Sequence, residues 1–123
     1  MTLLLVLVGG AVGAPLRYLT DLVVQSRHDS VYPWGTFTVN SVGSALLGFM
    51  VGATSTSALP SWALALVGTG FCGSLTTFST FGFETVRLVE EGSFAEASIN
   101  AALSLAVGLA AAFGGWAVSG MVT

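Results

Sequence analysis

The chain is dominated by four long apolar stretches that almost no charge interrupts. They run from about Leu3 to Val24, Trp34 to Thr54, Leu59 to Val86 and Phe94 to Val122. Only Arg17, Asp21, Glu84 and Glu96 carry charge inside them. A helix that crosses a bilayer needs roughly 20 mostly apolar residues, and each stretch supplies them. In hydrocarbon every backbone N–H and C=O must be satisfied within the protein, so spanning segments are helices or closed barrels. Barrel strands alternate apolar and polar residues over segments of about 10, and these runs do not alternate. The sequence therefore predicts an all-α membrane protein: four transmembrane helices in a single domain, residues 1–123, multi-pass in the lipid bilayer.

Composition excludes the main alternatives. Charged residues make up 7% of the chain, against about 25% in soluble domains. The mean hydropathy is +0.88. Such a chain cannot coat a water-soluble globule. A net charge of -3 with three Arg and no Lys provides no basic face for nucleic acid. The single cysteine, Cys72, excludes an internal disulfide framework. A cleaved signal peptide needs a basic start and a short apolar core. Here no Lys or Arg precedes Leu3, and the apolar run continues past Gly13 and Ala14, so a retained first helix is expected.

The third stretch is longer than one straight crossing requires. Its centre holds Gly68, Gly70 and Gly73, followed by Ser74, Thr76, Thr77, Ser79 and Thr80. Glycine weakens a helix, and hydroxyls can satisfy the backbone groups that a break sets free. The pattern predicts a helix broken at mid-membrane, a feature that lines polar cavities and ion sites in membrane proteins. A continuous kinked helix packed through small residues is the plainer alternative.

Small residues also form stripes. The first helix carries Gly9, Gly10, Gly13 and Ala14. The second carries Asn40, Ser44, Gly48 and Gly52, and the fourth Asn100, Ser104, Gly108 and Ala112, each set at a spacing of four. Small stripes let helices approach closely in a membrane. Packing does not require the amides, because an unpaired amide in hydrocarbon costs several kcal/mol. Asn40 and Asn100 must each face protein, water or an ion.

The remaining charges are few. Arg17 and Asp21 have the spacing of a helical pair. Arg17 can also snorkel to the interface or give a vestibule a positive field. His28 has no partner histidine or cysteine for a metal. No nucleophile, base and acid share one face, so an enzyme is not expected. Deep acids for proton coupling are also missing, apart from the peripheral Asp21 and Glu84. What lies at depth is neutral donors and phenyl rings. Ser, Thr and Asn can donate hydrogen bonds to an anion, and the positive edge of a phenyl ring can contact one. Phe78 and Phe81 share a helix face beside Thr77, Ser79 and Thr80. These features are compatible with a small-anion pathway, although phenylalanine pairs most often serve packing.

Three motifs in order carry a resemblance. The first is Gly9-Gly10-x-x-Gly13-Ala14-x-x-Arg17-Tyr18, and the second Gly35-Thr36-x-x-Val39-Asn40-x-x-Gly43. The third is Gly70-Phe71-Cys72-Gly73-Ser74-Leu75-Thr76-Thr77-Phe78-Ser79-Thr80-Phe81. Together they make the chain resemble the Fluc-type (CrcB-like) fluoride channels along essentially its whole length. The resemblance implies a passive fluoride channel in the cell membrane, built as an antiparallel dual-topology dimer. It implies that Asn40 donates to fluoride and that Phe78 and Phe81 contact it by their ring edges. Ser79 and Thr80 would lie nearby, and Ser104 is the candidate on the fourth helix, where the motif is weaker. Arg17 would lie near the aqueous entrance. A structural sodium ion would be held by the backbone carbonyls of Gly73 and Thr76.

Arg27 and Arg87 fall on one side of the membrane and no Lys or Arg on the other. Such a bias favours one orientation, so a heterodimer with an oppositely oriented relative stands beside the homodimer. A small drug/proton exchanger has a similar length, but requires a deep acid. A purely structural protein would use the stripes for packing alone.

Overall fold

The computed structural model describes all 123 residues and is helical apart from short connections. Helix α1 is Thr2–Ser26 and α2 is Trp34–Ser55. The third span begins as α3, residues 61–75, in which Leu64–Cys72 is wound as a π-helix. It resumes as α4, Ser79–Glu90, and the chain ends with α5, Phe94–Val122. Four spans are long and apolar enough to cross a membrane: Thr2–Ser26, Trp34–Ser55, Ser61–Glu90 and Phe94–Val122.

Local chemistry sets the ends. Pro60 is extended and precedes the third span at its first turn, where the missing N–H costs nothing. Ala58 and Leu59, by contrast, donate back to the Ala53 carbonyl, which closes α2. This moves the start of the third span to Ser61, two residues beyond the Leu59 suggested by hydropathy. At its far end Gly92 adopts a left-handed φ of +80°. Its N–H donates to Val89 and that of Ser93 to Leu88, so glycine terminates α4.

The helices pack as two close pairs. Along α1 the glycines lie directly on the third span. A Cβ on Gly9 would overlap the Leu66 carbonyl oxygen, and one on Gly13 would overlap Ser74 Oγ and the Phe71 carbonyl. Along α2, Gly48 meets the Ala112 backbone and Gly52 meets Ser119; from α5, Gly115 meets the Ala45 carbonyl. In both pairs the residue numbers rise together, so the paired helices are parallel. Lipid tails are as apolar as leucine, so these contacts rest on close packing rather than on hydrophobic burial. The α2–α5 seam uses the small members of both spacing-four stripes.

These contacts predict a sharp contrast between glycines. Gly9→Ala should lower stability by about 1–3 kcal/mol, because a backbone carbonyl cannot move aside as a side chain can. Gly114→Ala, where a Cβ meets nothing within 4 Å, should be neutral or slightly stabilising. Thermal unfolding in detergent compares the two. Equal melting temperatures would refute the close-packing account.

Candidate functional site

The site grows from the interruption in the third span. At Thr76 the chain leaves helical geometry, with φ -79° and ψ 159°. A backbone that stops being a helix releases polar groups, and most of them are taken up here by name. The Thr76 N–H still donates to the Cys72 carbonyl at 3.0 Å, as does its hydroxyl at 2.8 Å. The Thr77 N–H does not reach Gly73; it donates to Asn40 Oδ1 at 2.8 Å. In return Asn40 Nδ2 donates to the Thr77 carbonyl at 3.0 Å. Because an N–H can only donate, this reciprocal pair fixes which way the Asn40 amide points. Arg17 Nη1 donates to the Thr76 carbonyl at 3.3 Å. Thr77 Oγ1 accepts the Thr80 N–H at 3.2 Å, capping α4 as it restarts.

Carbonyls at the end of α3 stay free. Those of Gly73 and Ser74 receive no hydrogen bond from the N–H groups four residues on. The free carbonyl end of α3 thus faces the free amide end of α4 across the break.

Beside the break lies an open-sided cavity of about 600 Å³. Asn40, Ser44, Gly73, Thr76, Thr77, Phe78, Phe81 and Ser104 contribute to its wall. Of the expected pathway residues, Asn40, Phe78, Phe81 and Ser104 are therefore brought together. The Phe78 and Phe81 rings lie 5.9 Å apart, tilted by 47°. Phe78 is 83% exposed. Ser79 and Thr80 do not line the cavity; they form the exposed first turn of α4. Arg17 lies against the break, and the Arg17–Asp21 pair that the spacing allows is not made.

A second polar system lies behind Ser104. Ser104 Oγ donates to Asn100 Oδ1 at 3.2 Å, and Asn100 Nδ2 donates to Thr85 Oγ1 at 2.8 Å. Thr85 in turn donates to the Phe81 carbonyl at 2.8 Å. Asn100 is only 1% exposed. Nearer the end of the bundle, buried Thr36 donates to the Glu84 carboxylate. A smaller cavity of about 270 Å³ there is lined by Asp21, Gln25, Glu84 and Arg87 among others.

Sequence reasoning missed Gln25, Thr85 and Tyr32. Gln25 Nε2 donates to the Tyr32 carbonyl at 3.2 Å, and its Oε1 accepts the Gly35 N–H at 3.4 Å. No spacing rule flags a glutamine or a tyrosine that a loop folds inward. The third-span motif did contain Thr77, but its capping and clamping roles appear only with the break in place.

Comparison with known proteins agrees along the chain. The CrcB-like protein family, Camphor Resistance (CrcB), matches residues 4–116. The chain is 54% identical to the Fluoride-specific ion channel FluC 1 of Frankia casuarinae, covering 93% of this chain and 89% of that protein. It is 53% identical to the protein of the same name from Streptomyces avermitilis, covering 94% and 93%. A third, Fluoride-specific ion channel FluC 1 of Thermobifida fusca, is 44% identical over 98% and 97%.

The clamp makes Asn40 a stability residue as well. Asn40→Ala should strip the Thr77 N–H and C=O of partners, at about 1–3 kcal/mol for each group left unpaired. Ser44→Ala, one turn along the same stripe, removes a hydroxyl that makes no such bond and should change little. Thermal unfolding of the purified proteins checks this; equivalent melting temperatures would refute the clamp.

Proposed function

The chain belongs to the CrcB-like family, and on that footing we propose that it is a fluoride-selective channel that exports fluoride passively. The observation that carries this is the likeness, at 53–54% identity over nearly the whole chain, to proteins named as fluoride-specific ion channels. It is a passive channel and not an enzyme. Hydrogen fluoride is a weak acid that crosses membranes uncharged and dissociates in a less acidic interior. The trapped anion then needs a selective way out, and its gradient drives it through one.

The cavity offers chemistry that suits this task. A small anion must exchange its water shell for other donors. Asn40 keeps one amide hydrogen after clamping Thr77. The Phe78 and Phe81 ring edges and the Ser104 hydroxyl would add further contacts. None carries fixed charge, so the ion would be held weakly enough to leave. Arg17, bound to the break by one N–H, would add a positive field near it.

The working unit of the proposal is two copies in opposite orientations in the plasma membrane. Hydrocarbon cannot satisfy the free Gly73 and Ser74 carbonyls. Gly73 is exposed, with nothing within 4 Å of a Cβ, and Phe78 is largely exposed. A second copy placed on this face would cover these groups and close the open side of the cavity. A sodium ion at that junction would be held by the Gly73 and Thr76 carbonyls. The residues fit such an ion: Gly73 offers an unused oxygen, and the Thr76 oxygen keeps a lone pair beyond the one Arg17 engages. Carbonyl oxygens suit a hard cation, and no three His, Cys, Asp or Glu side chains gather to hold a metal instead. The ion would brace the break and would not be transported.

Purified protein in liposomes should release fluoride, read with a fluoride electrode, and retain chloride. Phe78→Ile should lower the fluoride rate by roughly tenfold or more, about the share of one hydrogen-bond-like contact to an ion. No efflux from well-folded protein alone would overturn the homodimer. Rescue by an oppositely oriented relative would then favour the heterodimer, which the placement of Arg27 and Arg87 on one side also fits. No rescue would overturn the channel reading.

A further inference from the structure

Asn100 is buried on α5, and Ser104, one turn further along, forms part of the wall of the Phe78–Phe81 cavity. A chain of hydrogen bonds runs from that wall to α4. Ser104 Oγ lies 3.2 Å from Asn100 Oδ1, Asn100 Nδ2 lies 2.8 Å from Thr85 Oγ1, and Thr85 Oγ1 lies 2.8 Å from the Phe81 carbonyl oxygen. The far end fixes the direction of the whole chain. A carbonyl has no hydrogen, so Thr85 donates to it and keeps only lone pairs for Asn100. Asn100 therefore turns its NH2 to Thr85 and its oxygen to Ser104. Ser104 is left to donate to Asn100.

This has a cost for an anion path. With its hydrogen given to Asn100, the Ser104 hydroxyl offers the cavity lone pairs alone, and lone pairs repel an anion. For Ser104 to meet fluoride, its hydrogen has to turn away from Asn100. A serine hydroxyl can rotate, and the bond it leaves is the weakest of the chain. At 3.2 Å it is longer than the other two and longer than the roughly 2.7–2.8 Å most common for O–H···O bonds. The turn still leaves the Asn100 oxygen without its donor at 1% exposure, and an unpartnered buried acceptor is unfavourable. The Asn100 oxygen and the ion thus compete for one hydrogen.

We propose that Asn100 is a positioning residue of the channel: it holds the Ser104 hydrogen between ions and takes it back as each ion leaves. This rests on the channel reading above. Asn100 does not touch the ion. It weakens the ion's hold on Ser104 and so hastens exit, and Thr85 and the Phe81 carbonyl keep its oxygen pointed the right way.

Two substitutions free the Ser104 hydrogen by different routes. Asn100→Leu removes the acceptor. Thr85→Val removes the fixed link to the Phe81 carbonyl, so the Asn100 amide can turn its NH2 toward Ser104. Fluoride efflux from liposomes is measured over a range of internal fluoride concentrations. Both variants should reach half-maximal efflux at a roughly tenfold lower fluoride concentration than the parent, the share of about one hydrogen bond, and their maximal rate should fall. Packing damage would lower the rate without tightening the hold on fluoride. A half-saturating concentration that is unchanged or raised would overturn the inference and leave the channel reading intact; Thr85→Val, the milder change, decides this if Asn100→Leu does not fold. The same tightening in a Ser104→Ala background would also overturn it, because Asn100 would then not act through Ser104. No efflux from the parent would overturn the channel reading, and the inference with it.

Discussion

The arrangement depends on one constraint: backbone polar groups released inside an apolar protein must find partners. The third span breaks at Thr76–Phe78, and the break persists because other elements reach into it. The Asn40 side chain takes the place of a missing backbone partner for Thr77, accepting its N–H and donating to its carbonyl. Arg17 takes the Thr76 carbonyl. The amide on α2 and the guanidinium on α1 thus hold the same three-residue interruption from two sides. Both belong to helices that pack through glycine, so their positions are set by backbone contacts rather than by adaptable side chains.

That packing explains why the chain spends so much of itself on small residues. Gly9 and Gly13 bring α1 onto the third span, and Gly48, Gly52 and Gly115 bring α2 onto α5. Two tight parallel pairs leave their junction less filled, and the cavity opens there, walled by Asn40 from one pair and by Phe78 and Phe81 from the other. The π-wound turns of Leu64–Cys72 fall just before the break, where Gly68 and Gly70 are buried against neighbours. Wider turns at that point move the register of the hydroxyl-rich stretch that follows, and local π geometry of this kind recurs at functional sites.

Much of this was legible in the residues. Long apolar runs announce spans because length and hydropathy are properties of the segment alone. Stripes at a spacing of four announce close faces for the same reason. The break was bounded to the glycine- and hydroxyl-rich stretch, but not to Thr76. Its position is set by Asn40 and Arg17, each tens of residues away, and composition cannot reveal a partner at that distance. Ser79 and Thr80 illustrate the limit from the other side. They stand next to Phe78 in sequence, yet a restarting helix turns them to the exterior of its first turn. Tyr32 was invisible because its burial follows from how Gln25 and the Trp34–Phe37 aromatics fold the connection back over the bundle.

The charge economy follows from the same constraint. The break presents free carbonyls at the end of α3 and free amides at the start of α4, so partial charges of both signs are available without any ionised group. An anion path built from such groups attracts its ion through oriented dipoles, which cannot hold it as a fixed lysine would. The one cation nearby, Arg17, already gives an N–H to Thr76, which tempers its pull on a mobile ion. Asn40 is divided in the same way: most of its amide is committed to Thr77, and one hydrogen remains for a passing partner. A residue that braces the wall and also touches the ion keeps its donor fixed in direction, and a fixed donor favours the ion whose size matches the space. In the proposed channel, selectivity and structural support would then arise from the same hydrogen bonds, and loss of either would be felt as loss of both.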